Sequence, residues 1–257
     1  MLIAALAIVV AGCSGSAASL RPAKQPATPT AQSVTTAAYQ LHFTPTGKAL
    51  PLVLVLGGSG QNLASIVTVE GQNQLADRNG FAVAYIPAPN SEHIWYTGPD
   101  SSNVPAFDGV AYLATQITDI AQRAPIDLAH VFIEGWSNGG FMAVHAITTA
   151  PETFAAVGEI ESVLDLPVTT AEPVRVMHIH SPLDQVVPIR GGDSPLLHAK
   201  FGRPVHLPSS YTEGERLPTG STWTLVTDEG VGPGHHGYPP LAAQRFWEFF
   251  AQTLSSG

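Results

Sequence analysis

The sequence predicts an α/β fold, one domain built on a mostly parallel central sheet with helices on both faces. Three observations predict it. Apolar strand-like runs alternate with helical patterns from Tyr39 to Leu254, the order that strand–helix–strand units produce. The central runs, such as Pro51 to Leu56, are apolar without alternation, which suits strands buried on both faces. A Gly135-Trp136-Ser137-Asn138-Gly139 segment stands directly after one such run and directly before a helical pattern. That strand–turn–helix setting is what makes a G-x-S-x-G segment informative.

Tyr39 to Thr44 reads as an edge strand, and Pro51 to Leu56 as a buried one bounded by proline and glycine. A helix follows and stops near Asn79-Gly80, because Asn-Gly ends helices. Phe81 to Ile86 is the next strand. Pro87 to Ala106 is a long loop rich in Pro, Ser, Gly and Asn, and loops of that length are usually functional or disordered. Asp108 can cap the next helix, whose stripe Val110, Leu113, Ile117 and Ile120 has helical spacing. His130 to Glu134 is a strand, and a helix from the elbow runs to about Ala150. Strands are expected at Ala155 to Glu161, Val174 to His180 and Thr222 to Thr227. Pro240 to Leu254 is an amphipathic helix carrying Phe246, Trp247, Phe249 and Phe250. Residues 193–221 break the alternation and read either as an insertion near the site or as a surface excursion.

The chain has 257 residues, 12% of them charged, and a formal net charge of −9. With no basic run to neutralise phosphates, nucleic acid is excluded as a partner. A neutral or weakly polar small molecule fits better. The single cysteine, Cys13, permits no internal disulfide.

Leu2 to Ala11 is an apolar run too short to span a bilayer, which takes about 20 residues. It matches the apolar region of an export signal. It ends in Val10-Ala11-Gly12-Cys13, which resembles the lipobox of bacterial lipoproteins, and the resemblance implies lipidation of Cys13. No Lys or Arg precedes the run, a departure from the usual signal. Residues 14–37 are rich in Ser, Ala, Thr and Pro and read as a disordered tether. The expected organisation is a signal over 1–13, a linker over 14–37 and the folded domain over 38–257. It implies export, as a cell-envelope lipoprotein or a secreted protein, with the membrane met only through the anchor at Cys13.

The elbow makes Ser137 the expected nucleophile of an α/β-hydrolase fold. The tight turn lifts its hydroxyl above the sheet and sets the Asn138 N–H at a helix start, where an oxyanion is stabilised. A serine needs a histidine to take its proton, and the histidine needs an acid. In this fold the acid and then the histidine follow the serine. Asp184 lies beyond the strand that ends at His180 and is favoured over Asp165, which follows the preceding strand. His198, His206, His235 and His236 come later. Only the last two follow the final strand, and position alone does not separate them. His178 and His180 point to one face of their strand, but a third ligand is not evident and no metal is expected. Trp95 and Tyr96 in the long loop are expected to shape the substrate pocket. The plain alternative is that these aromatics only pin the loop.

Four segments resemble the polyhydroxybutyrate depolymerase family of esterases, which includes feruloyl and acetylxylan esterases. They are Pro51 to Gln61, Gly135 to Met142, His178 to Gly192 and His236-Gly237-Tyr238-Pro239. The likeness extends from about residue 39 to about residue 252. It selects His236 over His235, and it implies that the backbone N–H of Ser59 joins that of Asn138 in an oxyanion hole. Here Gly57-Gly58-Ser59-Gly60 stands where the family has His-Gly-Cys-Gly, and Ser181 where it has Gly. The resemblance implies a serine ester hydrolase acting on small or oligomeric esters; a monomer without a cofactor is expected. A serine peptidase of the prolyl oligopeptidase type and a non-enzymatic envelope lipoprotein are the alternatives.

Overall fold

The computed structural model describes residues 29–97 and 104–254. In chain order its strands are β1 (Gln32–Thr35), β2 (Gln40–Phe43), β3 (Leu50–Leu56), β4 (Ala82–Ile86), β5 (Ile126–Trp136), β6 (Ala156–Ile160), β7 (Arg175–His180), β8 (Gly192–Asp193), β9 (His206–Leu207) and β10 (Thr222–Thr227). The helices are α1 (Leu63–Val69), α2 (Asn73–Asn79), α3 (Gly109–Arg123), α4 (Asn138–Thr149), α5 (Pro195–Phe201) and α6 (Ala242–Leu254). Eight strands form the central sheet in the order β1-β2-β4-β3-β5-β6-β7-β10. From β4 through β10 every pairing is parallel, and only β2 runs against the rest, antiparallel to both β1 and β4. The parallel strands therefore bring their carboxyl ends to one edge, where sites form in open α/β sheets.

Alternate residues of β3 serve opposite faces. Leu50, Leu52, Leu54 and Leu56 pack with Leu113, Ile117 and Ile120 of α3 and with Met142 and Ile147 of α4. Val53 and Val55 pack with Ile66 of α1, Ala76 of α2 and Phe246 and Phe250 of α6. This two-sided burial explains why the strand has no polar positions. The aromatic stripe of α6 docks by stacking: Phe250 lies on Phe132 at 4.7 Å and Trp247 on Phe81 at 4.2 Å.

Three features differ from the sequence expectation. The described fold starts before residue 38, because Gln32–Thr35 forms β1 and pairs with β2. Those residues are mostly exposed; the strand is held by backbone hydrogen bonds, which leave no mark on composition. The rest of the expected linker, the signal and Cys13 lie largely outside the described residues. One helix was expected between β3 and β4, and two form. At the break the Gln72 N–H donates to the Tyr85 hydroxyl at 2.7 Å instead of continuing a helix, beside Gly71. Third, residues 193–221 are not a loose excursion. They hold α5, β9 and a 3₁₀ turn over Ser210–Arg216, and Val205 and Leu207 form a small apolar cluster with Phe141, Val163 and Val187.

Candidate active site

Ser137 joins β5 to α4 with φ 52° and ψ −121°. A non-glycine residue at positive φ is held against steric cost by its surroundings. The surroundings are tight: a Cβ on Gly139 would lie 2.2 Å from the Leu56 carbonyl oxygen, and one on Gly135 2.3 Å from Gly139 backbone. Only glycine lets α4 start this close to β3 and β5. The Ser137 N–H donates to the Ile160 carbonyl at 2.8 Å, which ties the elbow to β6.

The Ser137 hydroxyl is 2.8 Å from His236 Nε2, and His236 Nδ1 is 2.8 Å from Asp184 Oδ2. The sequence-predicted trio is thus one hydrogen-bonded row across the carboxyl ends of β5 and β7 and the loop after β10. His235 faces away, with Nδ1 3.2 Å from the Glu229 carbonyl. The other oxygen of Asp184 accepts from the N–H groups of Val186 and Val187 at 2.7 and 3.0 Å. Burial works to raise the Asp184 carboxyl, but hydrogen bonds from His180 and His236 and the charge of His236 outweigh it and hold the group below the usual range. It is ionised where it meets His236.

Ser59 and Asn138 line one cavity with Ser137 and His236. Asn138 is the first residue of α4, so its N–H is one of the unpaired donors of a helix start. The Ser59 hydroxyl accepts from Lys200 Nζ of α5 at 2.8 Å. The cavity measures about 430 Å³, and its far wall is built by Leu197, Phe201, Val205 and Leu207, all from the segment whose role the sequence left open. Asp165 and His206 also line it.

Trp95 and Tyr96 do not shape this cavity. Trp95 is 0% exposed and packs with Phe107 and Tyr112 in the core. Tyr96 lines a separate shallow hollow with His145 and Leu166. The reason is Asn138, whose side chain accepts from the Trp95 N–H and donates to its carbonyl, and so draws the loop inward. The plain alternative, aromatics that pin the loop, describes Trp95.

Several buried groups at the site carry no sequence signal of their own. Glu161, the residue after β6, puts Oε2 3.3 Å from His236 Nδ1. Tyr238 donates to Glu134 Oε1 at 2.8 Å and Gln72 donates to the same oxygen, which joins the His236 loop to the strand before the elbow. Behind Asp184 lies a histidine pair: His180 Nε2 is 2.8 Å from the Val187 carbonyl and 3.3 Å from Asp184 Oδ2. A carbonyl only accepts, so Nε2 carries the proton. In neutral His180 the Nδ1 must then accept from His178 Nε2 at 2.9 Å. His178 Nδ1 faces Glu213 at 2.8 Å and Glu159 at 3.4 Å. The sequence reading found no third partner for the two histidines, because these carboxylates come from β6 and from the turn over Ser210–Arg216.

The parallel sheet, the strained serine elbow and the histidine delivered after the last strand define an α/β-hydrolase. The chain belongs to the Esterase PHB depolymerase family, whose model matches residues 37–190. It is 32% identical over 178 residues to NocK of Nocardia uniformis subsp. tsuyamanensis, a protein assigned as an esterase, covering 64% of this chain and 51% of NocK. It is 25% identical over 221 residues to the bifunctional acetylxylan esterase/xylanase XynS20E of Neocallimastix patriciarum, covering 80% of this chain and 32% of that protein. The chain thus spans about half of one relative and a third of the other. Among solved structures, the acetyl xylan esterase from Aspergillus awamori matches with a TM-score of 0.54 at 17% identity, over 86% of this chain and 99% of that one. A thermostable esterase matches with a TM-score of 0.52 at 19% identity, over 87% of this chain and 62% of that one. These two likenesses concern the fold.

Proposed function

We propose that the protein is a serine carboxylic-ester hydrolase that acts on small or oligomeric esters through an acyl-enzyme. The observation that carries this reading is the row Ser137–His236–Asp184, with both contacts at 2.8 Å, opening into a cavity walled mostly by apolar side chains. Ser137 Oγ attacks the ester carbonyl carbon while its proton passes to His236 Nε2. Asp184 fixes the Nδ1–H tautomer and stabilises the imidazolium. The carbonyl oxygen, now negative, takes hydrogen bonds from the N–H groups of Asn138 and Ser59. Collapse breaks the bond to the alcohol, which leaves with the proton from His236. Water then attacks the acyl-serine by the same route, giving the carboxylic acid and restoring Ser137. Loss of one oxyanion donor costs on the order of a hundred- to a thousandfold in turnover.

The cavity wall supports an acyl or alcohol group that is apolar and of modest size. The protein acts as a monomer and, by the reading of residues 1–13, is exported and anchored through Cys13. The test is hydrolysis of p-nitrophenyl acyl esters of increasing length, set against the matching amides, with labelling of Ser137 by a fluorophosphonate. Ser137→Ala is expected to abolish both hydrolysis and labelling in a folded protein. Near wild-type turnover by that variant would overturn the proposal. Preference for the amides would favour a peptidase instead.

A further inference from the structure

His236 faces two carboxyl groups, and the second has no part in the mechanism above. Glu161 follows β6, the strand that lies between the ones carrying Ser137 and Asp184. Its N–H donates to the Ile179 carbonyl of β7 at 3.0 Å, so its backbone is stitched to the strand that leads to Asp184. Its φ is 48°; like Ser137 it is a non-glycine residue at positive φ, and the two stand side by side just past the Trp136–Ile160 pair that ends the ladder between β5 and β6. Strain of this kind persists only where the surroundings hold it, and it gathers at functional sites. The side chain is buried. Its Oε2 lies 3.3 Å from His236 Nδ1 and accepts from the Trp136 indole N–H at 3.3 Å.

We propose that Glu161 is a second acid partner of His236, a positioning residue that holds the imidazole from the β6 edge and takes over its orientation and charge support when Asp184 cannot. The inference rests on the proposed roles of Ser137 and His236. Two carboxylates beside one N–H do not both ionise readily, so one keeps its proton. The donors decide which. Asp184 receives two backbone N–H groups at 2.7 and 3.0 Å and lies against His180, whereas Glu161 has the longer contact with the Trp136 indole at 3.3 Å and one backbone N–H, that of Gly237. Burial first, then the charges of Asp184 and, more weakly, Asp228, push Glu161 up to about 9, against hydrogen bonds from Trp136 and Gly237. In the resting protein Glu161 is the neutral member. With Asp184 made neutral, the strongest opposing charge disappears and Glu161 ionises nearer neutrality. It then accepts the His236 Nδ1–H.

The test compares Asp184→Asn, Glu161→Gln and the double variant, with Ser137→Ala as the floor, in p-nitrophenyl acetate hydrolysis from about pH 6 to about pH 10. Losing the acid of a triad outright lowers turnover about 10⁴-fold. Asp184→Asn is expected to lose only about ten- to a hundredfold and to regain activity as pH rises, because Glu161 supplies the missing charge. Glu161→Gln in that background is expected to remove this remainder, and Glu161→Asp to keep part of it. In the otherwise wild-type protein, Glu161→Gln is expected to erase an inflection near pH 9. Equal activity of Asp184→Asn and the folded double variant would overturn the proposal. Should the double variant not fold, a flat Asp184→Asn pH profile overturns it. If Ser137→Ala itself stays active, the functional reading fails first, which separates the two failures.

Discussion

The side chain of Asn138 satisfies both backbone polar groups of Trp95: it accepts from the N–H at 2.6 Å and donates to the carbonyl at 3.0 Å. One residue thus gives its backbone N–H to the proposed oxyanion position and its side chain to the loop that begins at Pro87. Asn138→Ala leaves two buried backbone groups unpaired, at about 1–3 kcal/mol each. The expected result is a clear fall in the unfolding midpoint in urea. Fluorophosphonate labelling should persist, because the oxyanion donor belongs to the backbone. Complete loss of labelling in a folded Asn138→Ala protein would mean that the side chain acts in the chemistry itself.

Ser137 holds φ at 52°, a conformation that costs about 1–3 kcal/mol for any residue with a Cβ. Ser137→Gly removes that cost, so it should raise stability by about 1 kcal/mol while hydrolysis falls to the floor. Ser137→Ala should lose hydrolysis without the gain. Paired urea titrations measure the difference, and a glycine variant less stable than the alanine variant would contradict the strained elbow.

His235 and His236 are neighbours with opposite expected fates. His236 meets Ser137 and Asp184, while the His235 ring turns to the Glu229 carbonyl, at 3.2 Å. His236→Ala is expected to lower kcat/KM by three or more orders of magnitude (roughly 10³-fold at least). His235→Ala should stay within about tenfold of wild type. The reverse pattern would displace His236 from the mechanism.

Glu134 gives the protein a pH-dependent stability. Burial pushes its carboxyl up to about 7, against hydrogen bonds from Tyr238 and Gln72. The unfolded chain has the ordinary, lower value, so between the two the native state holds a proton that the unfolded state has lost. The stabilisation is complete below the ordinary carboxylate value and is lost as pH rises through about 7. Glu134→Gln has no such proton to lose. The melting temperature of the variant relative to wild type is therefore expected to climb between about pH 5 and about pH 8. A constant difference across that interval would place the titrating group elsewhere.

Much of the site was legible before folding. Ser137 was readable because an elbow is local: strand, glycines, serine and helix are adjacent in the chain. Asp184 and His236 were readable in part, through the order of elements, and the choice of His236 over His235 needed the family likeness. Glu161 carried no signal, although its strand was expected to end at that residue. A glutamate closing a strand looks the same whether it meets water or a histidine. Trp95 was misplaced for a related reason, since an aromatic in a long loop reads alike whether it faces a ligand or the core.

The sequence by itself determined the α/β class, the succession of strands and helices and the strained serine turn. These depend on apolar periodicity and on residues next to one another in the chain. Only the tertiary structure decided which carboxyls surround His236, that Asn138 draws Trp95 inward, and that α5 and β9 wall the cavity. Those relations follow from the spatial order β5-β6-β7-β10 and from how much water each buried group loses. Both depend on residues far apart in the chain, whose distances no local pattern encodes.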